Sequence, residues 1–153
     1  MMVLINSLMA TLHHICAFTL TACLVYELIA FRKGLGVEEA RRIQKVDGWY
    51  GISAGLLVVV GLLRVFFFEK GPNYYGASSM FWIKMALFVI VGLLSIYPTI
   101  RYIKWNSFLN ENKAPEIAEQ EFKNIRLLLV LEIVGLVLIL FFAPAMARAI
   151  GMN

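Results

Sequence analysis

Charge is what this chain has least of. Lys, Arg, Asp and Glu together make up 16% of its 153 residues, against about a quarter in an ordinary soluble domain. So thin a charged coat excludes a water-borne globule of this size. No Lys or Arg precedes Arg32, and a secretory signal peptide needs a basic n-region. The first apolar run is also too long for a signal core, so it reads as a retained helix. The two cysteines, Cys16 and Cys23, lie seven residues apart on that helix, about 10 Å along its axis. That is beyond disulfide reach, so they do not pair with each other. Motifs for common soluble chemistry are missing: there is no C-x-x-C, no H-E-x-x-H and no G-x-x-x-x-G-K. No low-complexity tract occurs, and the first and second helix pairs show no duplication.

What is present is hydrocarbon. The chain is 61% hydrophobic with a mean hydropathy of +0.78, and the excess falls in four blocks near the roughly 20 residues that cross a bilayer. The expected fold is all-α: an integral membrane four-helix bundle forming one domain over residues 1–153. Its helices are placed at 2–31, 48–68, 80–104 and 125–146. Segment 32–47 carries Arg32, Lys33, Arg41, Arg42 and Lys45. The third connection carries Arg101, Lys104, Lys113, Lys123 and Arg126. By the positive-inside rule these two connections face the cytoplasm, and both termini face the periplasm across a bacterial inner membrane. The net charge of +4 is thus a topology signal and points to the lipid bilayer, not to nucleic acid.

Within 32–47, glycines stop the first helix. Val37–Ile43 then reads as a short amphipathic helix on the inner surface, with Val37, Ala40 and Ile43 toward lipid. Gly48, Gly51 and Gly55 share one face of the second helix and suggest a close neighbour there. Pro115, followed by Glu116, Glu119 and Glu121, resembles a helix start.

The only two histidines, His13 and His14, sit deep in the first apolar block, where an imidazole is usually functional. Ser7, Ala10, His14, Ala17 and Thr21 form a small and polar face. On that ground His14, rather than His13, is expected to point into the bundle. Arg64 and Lys84 fall at similar heights just outward of the histidines, with Lys70 and Arg148 at the rim. Imidazole deep with cations above it matches what a b-type haem needs: a nitrogen for iron and bases for its propionates. The candidate metal ligands are His14 or His13, and the cofactor-binding cations are Arg64 and Lys84. The two histidines lie about 100° apart on one helix and cannot clamp both faces of a macrocycle. The second axial position would be filled by Met85, Met146 or a histidine of another subunit in a homo-oligomer, or by nothing. A membrane redox role with a quinone follows on this reading. The alternative is a non-enzymatic membrane protein that binds a partner or an anionic amphiphile, its histidines being structural or relaying protons. A Ser-His-acid set is excluded, because Glu27 and Glu132 lie toward the opposite membrane face. Glu27 is expected to snorkel or pair with the basic loop, and Glu132 to pair with a basic or tyrosine neighbour or, alternatively, to be the inner station of a proton path.

The motifs Leu12-His13-His14, Asp47-Gly48-Trp49-Tyr50-Gly51, Gly61-Leu62-Leu63-Arg64-Val65 and Leu94-Ser95-Ile96-Tyr97-Pro98-Thr99 together resemble a bacterial family of four-helix predicted inner-membrane proteins of uncharacterised function. The resemblance implies a membrane location and brings no activity. A weaker likeness is to the membrane-bound, haem-containing protoporphyrinogen oxidases. It rests on Leu12-His13, Arg41-Arg42-Ile43 and Trp82-Ile83-Lys84, and it implies a haem or related tetrapyrrole ligated at His13 or His14 with Lys84 as a cation. Where that family carries a histidine after a tyrosine late in helix 3, this chain reads Tyr97-Pro98.

Overall fold

In a computed structural model the apolar blocks are four long helices linked by short connections. The structure describes residues 2–68 and 71–147, and the side chains of 3–68 and 71–143. Lys70, Arg148 and the side chain of Met146 lie outside the described residues.

Helix α1 runs Met2–Ala30. The chain then reverses through Gly34, whose φ of 71° suits a residue without a Cβ. Helix α2 runs Val37–Leu63 with Glu38 and Glu39 in its first turn, where acids complement the helix dipole. Glu39 holds that start. Its Oε2 accepts from the Gly36 N–H at 3.0 Å and its Oε1 from Arg32 Nη2 at 2.6 Å. One π-helical turn, Arg64–Phe68, continues α2. The short helix α3, Pro72–Gly76, leads to α4, Ser79–Lys104, whose N-cap Ser78 Oγ accepts from the Phe81 N–H. A turn of helix, α5 (Asn106–Leu109), precedes α6, Glu119–Ala147.

Four of these helices are long and apolar enough to cross a membrane, at Val3–Ala30, Val37–Phe68, Ser79–Leu109 and Glu119–Ala143. The protein is an all-α integral membrane bundle.

The structure corrects two boundaries. Val37–Ile43 is not a separate helix on the membrane surface but the first turns of α2, and Ala40 and Ile43 are fully buried against the bundle. Charged residues end an apolar run without ending a helix, and no Pro or interior Gly breaks the chain before Gly48. At the other end, Pro115 lies buried in a non-helical segment, and α6 begins at Glu119.

Helix α1 packs along α2 and α4 along α6, while thinner contacts α1–α6 and α2–α4 close the bundle. The tightest packing lies at the end bearing the basic connections, here called the basic end. There Phe31 stacks on Trp105 and on Phe122, with Tyr102 beside Trp105 at a ring separation of 4.8 Å. Lys33 pairs with Glu119 and Arg101 with Glu121, while Arg41 donates to the Leu109 carbonyl at 2.6 Å. These ties fix the connections to α6 and α5.

The glycines divide by function. Gly48, Gly51 and Gly55 meet nothing within 4 Å and are exposed, so no described residue is the close neighbour expected on that face. Gly135 on α6 is, among the described glycines, the one with least room for a side chain: a Cβ there would stand 2.4 Å from Val91 Cγ2 on α4. Val91 is buried and β-branched, so it cannot swing aside cheaply. Gly135→Ala should therefore destabilise the detergent-solubilised protein by roughly 1–3 kcal/mol, the usual range for overpacking. Val91→Ala should recover most of that loss. Gly51→Ala and Gly55→Ala should leave thermal unfolding unchanged, and equal losses at all three glycines would contradict this packing.

Candidate functional site

Four stripes of side chains line the interior. On α1 the inward stripe is His13, Cys16, Leu20, Leu24, Glu27 and Phe31. On α2 it is Ile43, Asp47, Tyr50, Ser53, Val60 and Arg64. Helix α4 contributes Lys84, Val91, Pro98 and Tyr102, and α6 contributes Ile125, Leu129, Glu132 and Leu136. The polar members fall into two groups. His13 and Glu27 are 14 residues apart on α1, about 21 Å along its axis. One group therefore sits toward the end carrying the chain termini, and the other toward the basic end.

The terminal-side group is His13, Arg64 and Lys84, each half-buried and each from a different helix. Lys84 and Arg64 both act electrostatically on His13, and Arg64 on Lys84. The His13 ring packs over Gly61, where a Cβ would come within 3.3 Å of its Cε1. The bare backbone at Gly61 is what admits the imidazole between α1 and α2. His13 Nδ1 is buried and has no hydrogen-bond partner.

His14 does not join this group. Its ring stands edge-on to His13 at 6.3 Å and is exposed, so the inward imidazole is His13 and the expected orientation is corrected. The small face around His14 misled because its hydroxyls need no neighbour. Ser7 Oγ donates to the Val3 carbonyl at 3.0 Å, and Thr21 Oγ1 to that of Ala17 at 2.8 Å. Ser and Thr that back-bond to position i−4 sit comfortably in lipid.

As a haem site, the group offers one imidazole nitrogen and two cations. Met85 lines a separate apolar groove of about 690 Å³ between α2 and α4, with Leu62, Val65, Phe66 and Trp82, and neither histidine reaches it. No second axial ligand among the described residues faces His13. Nor do any three His, Cys, Asp or Glu among them stand together as a metal site.

The basic-end group was legible in the sequence only in part: Glu132 pairs with a tyrosine as expected, whereas Asp47 reads there as part of a connection and Glu27 as a residue at the bundle's edge. Glu27 is 2% exposed, Glu132 1% and Asp47 8%. Glu27 neither snorkels nor meets the basic loop; the charged groups acting on it are Asp47 and Glu132. Arg32, Lys33 and Arg101 are engaged instead by Glu39, Glu119 and Glu121. Tyr50 Oη donates to Glu132 Oε2 at 3.0 Å, and Thr99 Oγ1 to Asp47 Oδ1 at 2.8 Å. Tyr102, wholly buried, lies within the field of all three carboxyls, yet its hydroxyl has no partner. Asp47 was the hardest member to find, since it sits in a run of charged residues that resembles a connection.

Comparison with known proteins places the whole bundle in one family. Residues 5–151 match the family described as Predicted membrane protein (DUF2214). The chain belongs to that family. No curated protein and no solved structure matches it, so the likeness to protoporphyrinogen oxidases gains no support. The match of this DUF2214 chain spans both polar groups, from His13 to Glu132.

Tyr50→Phe should expose the weight of the bond that ties α2 to α6 in the basic-end group. It leaves a buried Glu132 oxygen without its donor, which costs about 1–3 kcal/mol. Thermal unfolding in detergent should fall accordingly, and the double variant Tyr50→Phe/Glu132→Leu should be more stable than Tyr50→Phe alone. An unchanged unfolding temperature in Tyr50→Phe would show that the bond does not form.

Proposed function

We propose that the terminal-side group binds the acidic head of an amphiphile drawn from the bilayer, with Lys84 and Arg64 as the cations that hold it. The observation that carries this reading is Lys84. It is half-buried in a membrane span, and the charged group acting on it is another cation, Arg64. No salt bridge reaches it among the described residues. A cation placed inside a membrane span is costly and normally meets an anion there. A carboxylate or phosphate entering from the lipid would supply that anion, and the His13 imidazole could add a hydrogen bond.

A b-type haem is a second reading, and His13 Nδ1 is the atom that favours it. Haem is itself an amphiphile with two carboxylates, and His13 would give it a single axial nitrogen. The protein would then serve membrane redox chemistry with a quinone as partner. The charge distribution supports a topology with the basic connections in the cytoplasm, which puts this group in the periplasmic half of a bacterial inner membrane.

Binding of oleate to the purified protein, followed by native mass spectrometry, tests the first reading. Loss of one charge-assisted contact is worth about 1.5–3 kcal/mol, so Lys84→Gln should bind roughly tenfold or more weakly. Binding by Lys84→Gln and Arg64→Gln equal to wild type would overturn it. A visible spectrum of protein from haem-replete cells decides the second. It requires a Soret band that is lost in His13→Ala and kept in His14→Ala, and a colourless preparation rejects it.

A further inference from the structure

The basic-end group has the makings of a second site, independent of the one above. Three buried carboxyls lie within one another's field there, from three helices: Glu27 from α1, Asp47 from α2 and Glu132 from α6. The other polar groups facing them are Cys23 from α1, Tyr50 from α2, Thr99, Tyr102 and Ser95 from α4. None of these is a cation. Stacking three negative charges in the interior of a membrane bundle without compensation is among the costliest arrangements available to a protein. The group must take up positive charge to exist.

Three polar atoms point to how it does so. Glu27 Oε1, Glu132 Oε1 and Tyr102 Oη are all buried and all without a hydrogen-bond partner. A hydroxyl and two carboxyl oxygens that share a cluster without touching suit a bridging water, which typically makes about three hydrogen bonds to such groups. A metal cation is disfavoured by the geometry, because no three acids among the described residues converge closely enough to ligate one. A proton needs no such convergence, since it can be shared through hydroxyls and water.

We propose that Glu27, Asp47 and Glu132, with Tyr102 and Tyr50, form a buried proton-binding site reached from the basic end. Asp47 is its entry. It is the most exposed of the three carboxyls and lies one helical turn from Tyr50. A proton leaves a hydronium ion at the basic end and bonds to an Asp47 oxygen, releasing water. It then passes to Glu27 or Glu132, one O–H bond forming as the other breaks, with no change of oxidation state. Phe31 and Trp105, stacked beside Tyr102, close the group off from bulk water. The bond from Tyr50 holds Glu132, and the Thr99 hydroxyl holds Asp47.

Infrared difference spectra of the full chain in phospholipid bilayers, recorded in H₂O and D₂O, test this site. At neutral pH the wild type should show the carbonyl absorption of protonated carboxyl groups, shifted down in D₂O. That absorption should be diminished in Glu27→Gln and in Glu132→Gln. In Tyr102→Phe it should shift in frequency without being lost. Exchanging choline chloride for sodium chloride at fixed pH should leave it unchanged. The proposal is overturned if the wild type shows no such absorption, or if sodium abolishes it. It is equally overturned if both glutamine variants retain the full absorption. Should those variants fail to accumulate, an unshifted absorption in Tyr102→Phe sinks it. Oleate binding at Lys84 is unaffected by any of these outcomes, so the two sites stand or fall separately.

Discussion

Everything in this molecule answers to one constraint: inside a bilayer a polar side chain needs a partner, from the protein itself or from what the bilayer brings to it. Most of the chain meets the demand by having nothing to satisfy, or by local means such as the Ser7 and Thr21 back-bonds. Two polar groups stand apart from this pattern. His13, Arg64 and Lys84 concentrate positive charge near one end, and Glu27, Asp47 and Glu132 concentrate acid near the other. Each draws from at least three of the four long helices, and in the acid group the Tyr50–Glu132 and Thr99–Asp47 bonds also brace the helices against one another. The segregation also says something about specificity. Two cations beside one imidazole invite an anion, whereas three acids beside a free tyrosine hydroxyl invite a proton.

The sequence made the bundle legible because lipid imposes a coarse rule, and the spans of α1, α4 and α6 follow directly from hydropathy. It made three inward faces legible as well. At 100° per residue Arg64 falls on a face with Ser53 and Val60, Lys84 with Val91 and Tyr102, and Glu132 with Gly135 and Leu136, and these are the faces found buried or half-buried. Each of those faces carries a charged residue that fixes which way the helix turns. Helix α1 has polar residues on two sides, and small size was the wrong guide to its interior. The stripe from His13 through Cys16, Leu20 and Leu24 to Glu27 is the buried one, made of larger side chains that fill the centre of the bundle.

The acid group was partly hidden for a different reason. Asp47 follows Arg41, Arg42 and Lys45, and a run of charge looks like a water-exposed connection. In the folded chain α2 extends well past the apolar block, so its first turns stand at the membrane boundary and Asp47 turns inward just below them. Glycine was misleading in the same way. Gly51 and Gly55 offered room that no described residue occupies, while Gly61 and Gly135, unremarkable in sequence, admit His13 and Val91. Close approach depends on what the opposing helix presents at that height, which the local sequence of one helix does not state.

The account rests most heavily on the convergence of Glu27, Asp47 and Glu132. Solid-state NMR of the protein in bilayers, with labelled glutamate and aspartate side chains, measures it directly. Carboxyl carbon correlations should link Glu27 to Asp47 and Glu27 to Glu132, with no correlation from Glu27 to a lysine or arginine side chain. A Glu27 carboxyl correlated with a basic side chain of the first connection, and silent toward Glu132, would contradict the account.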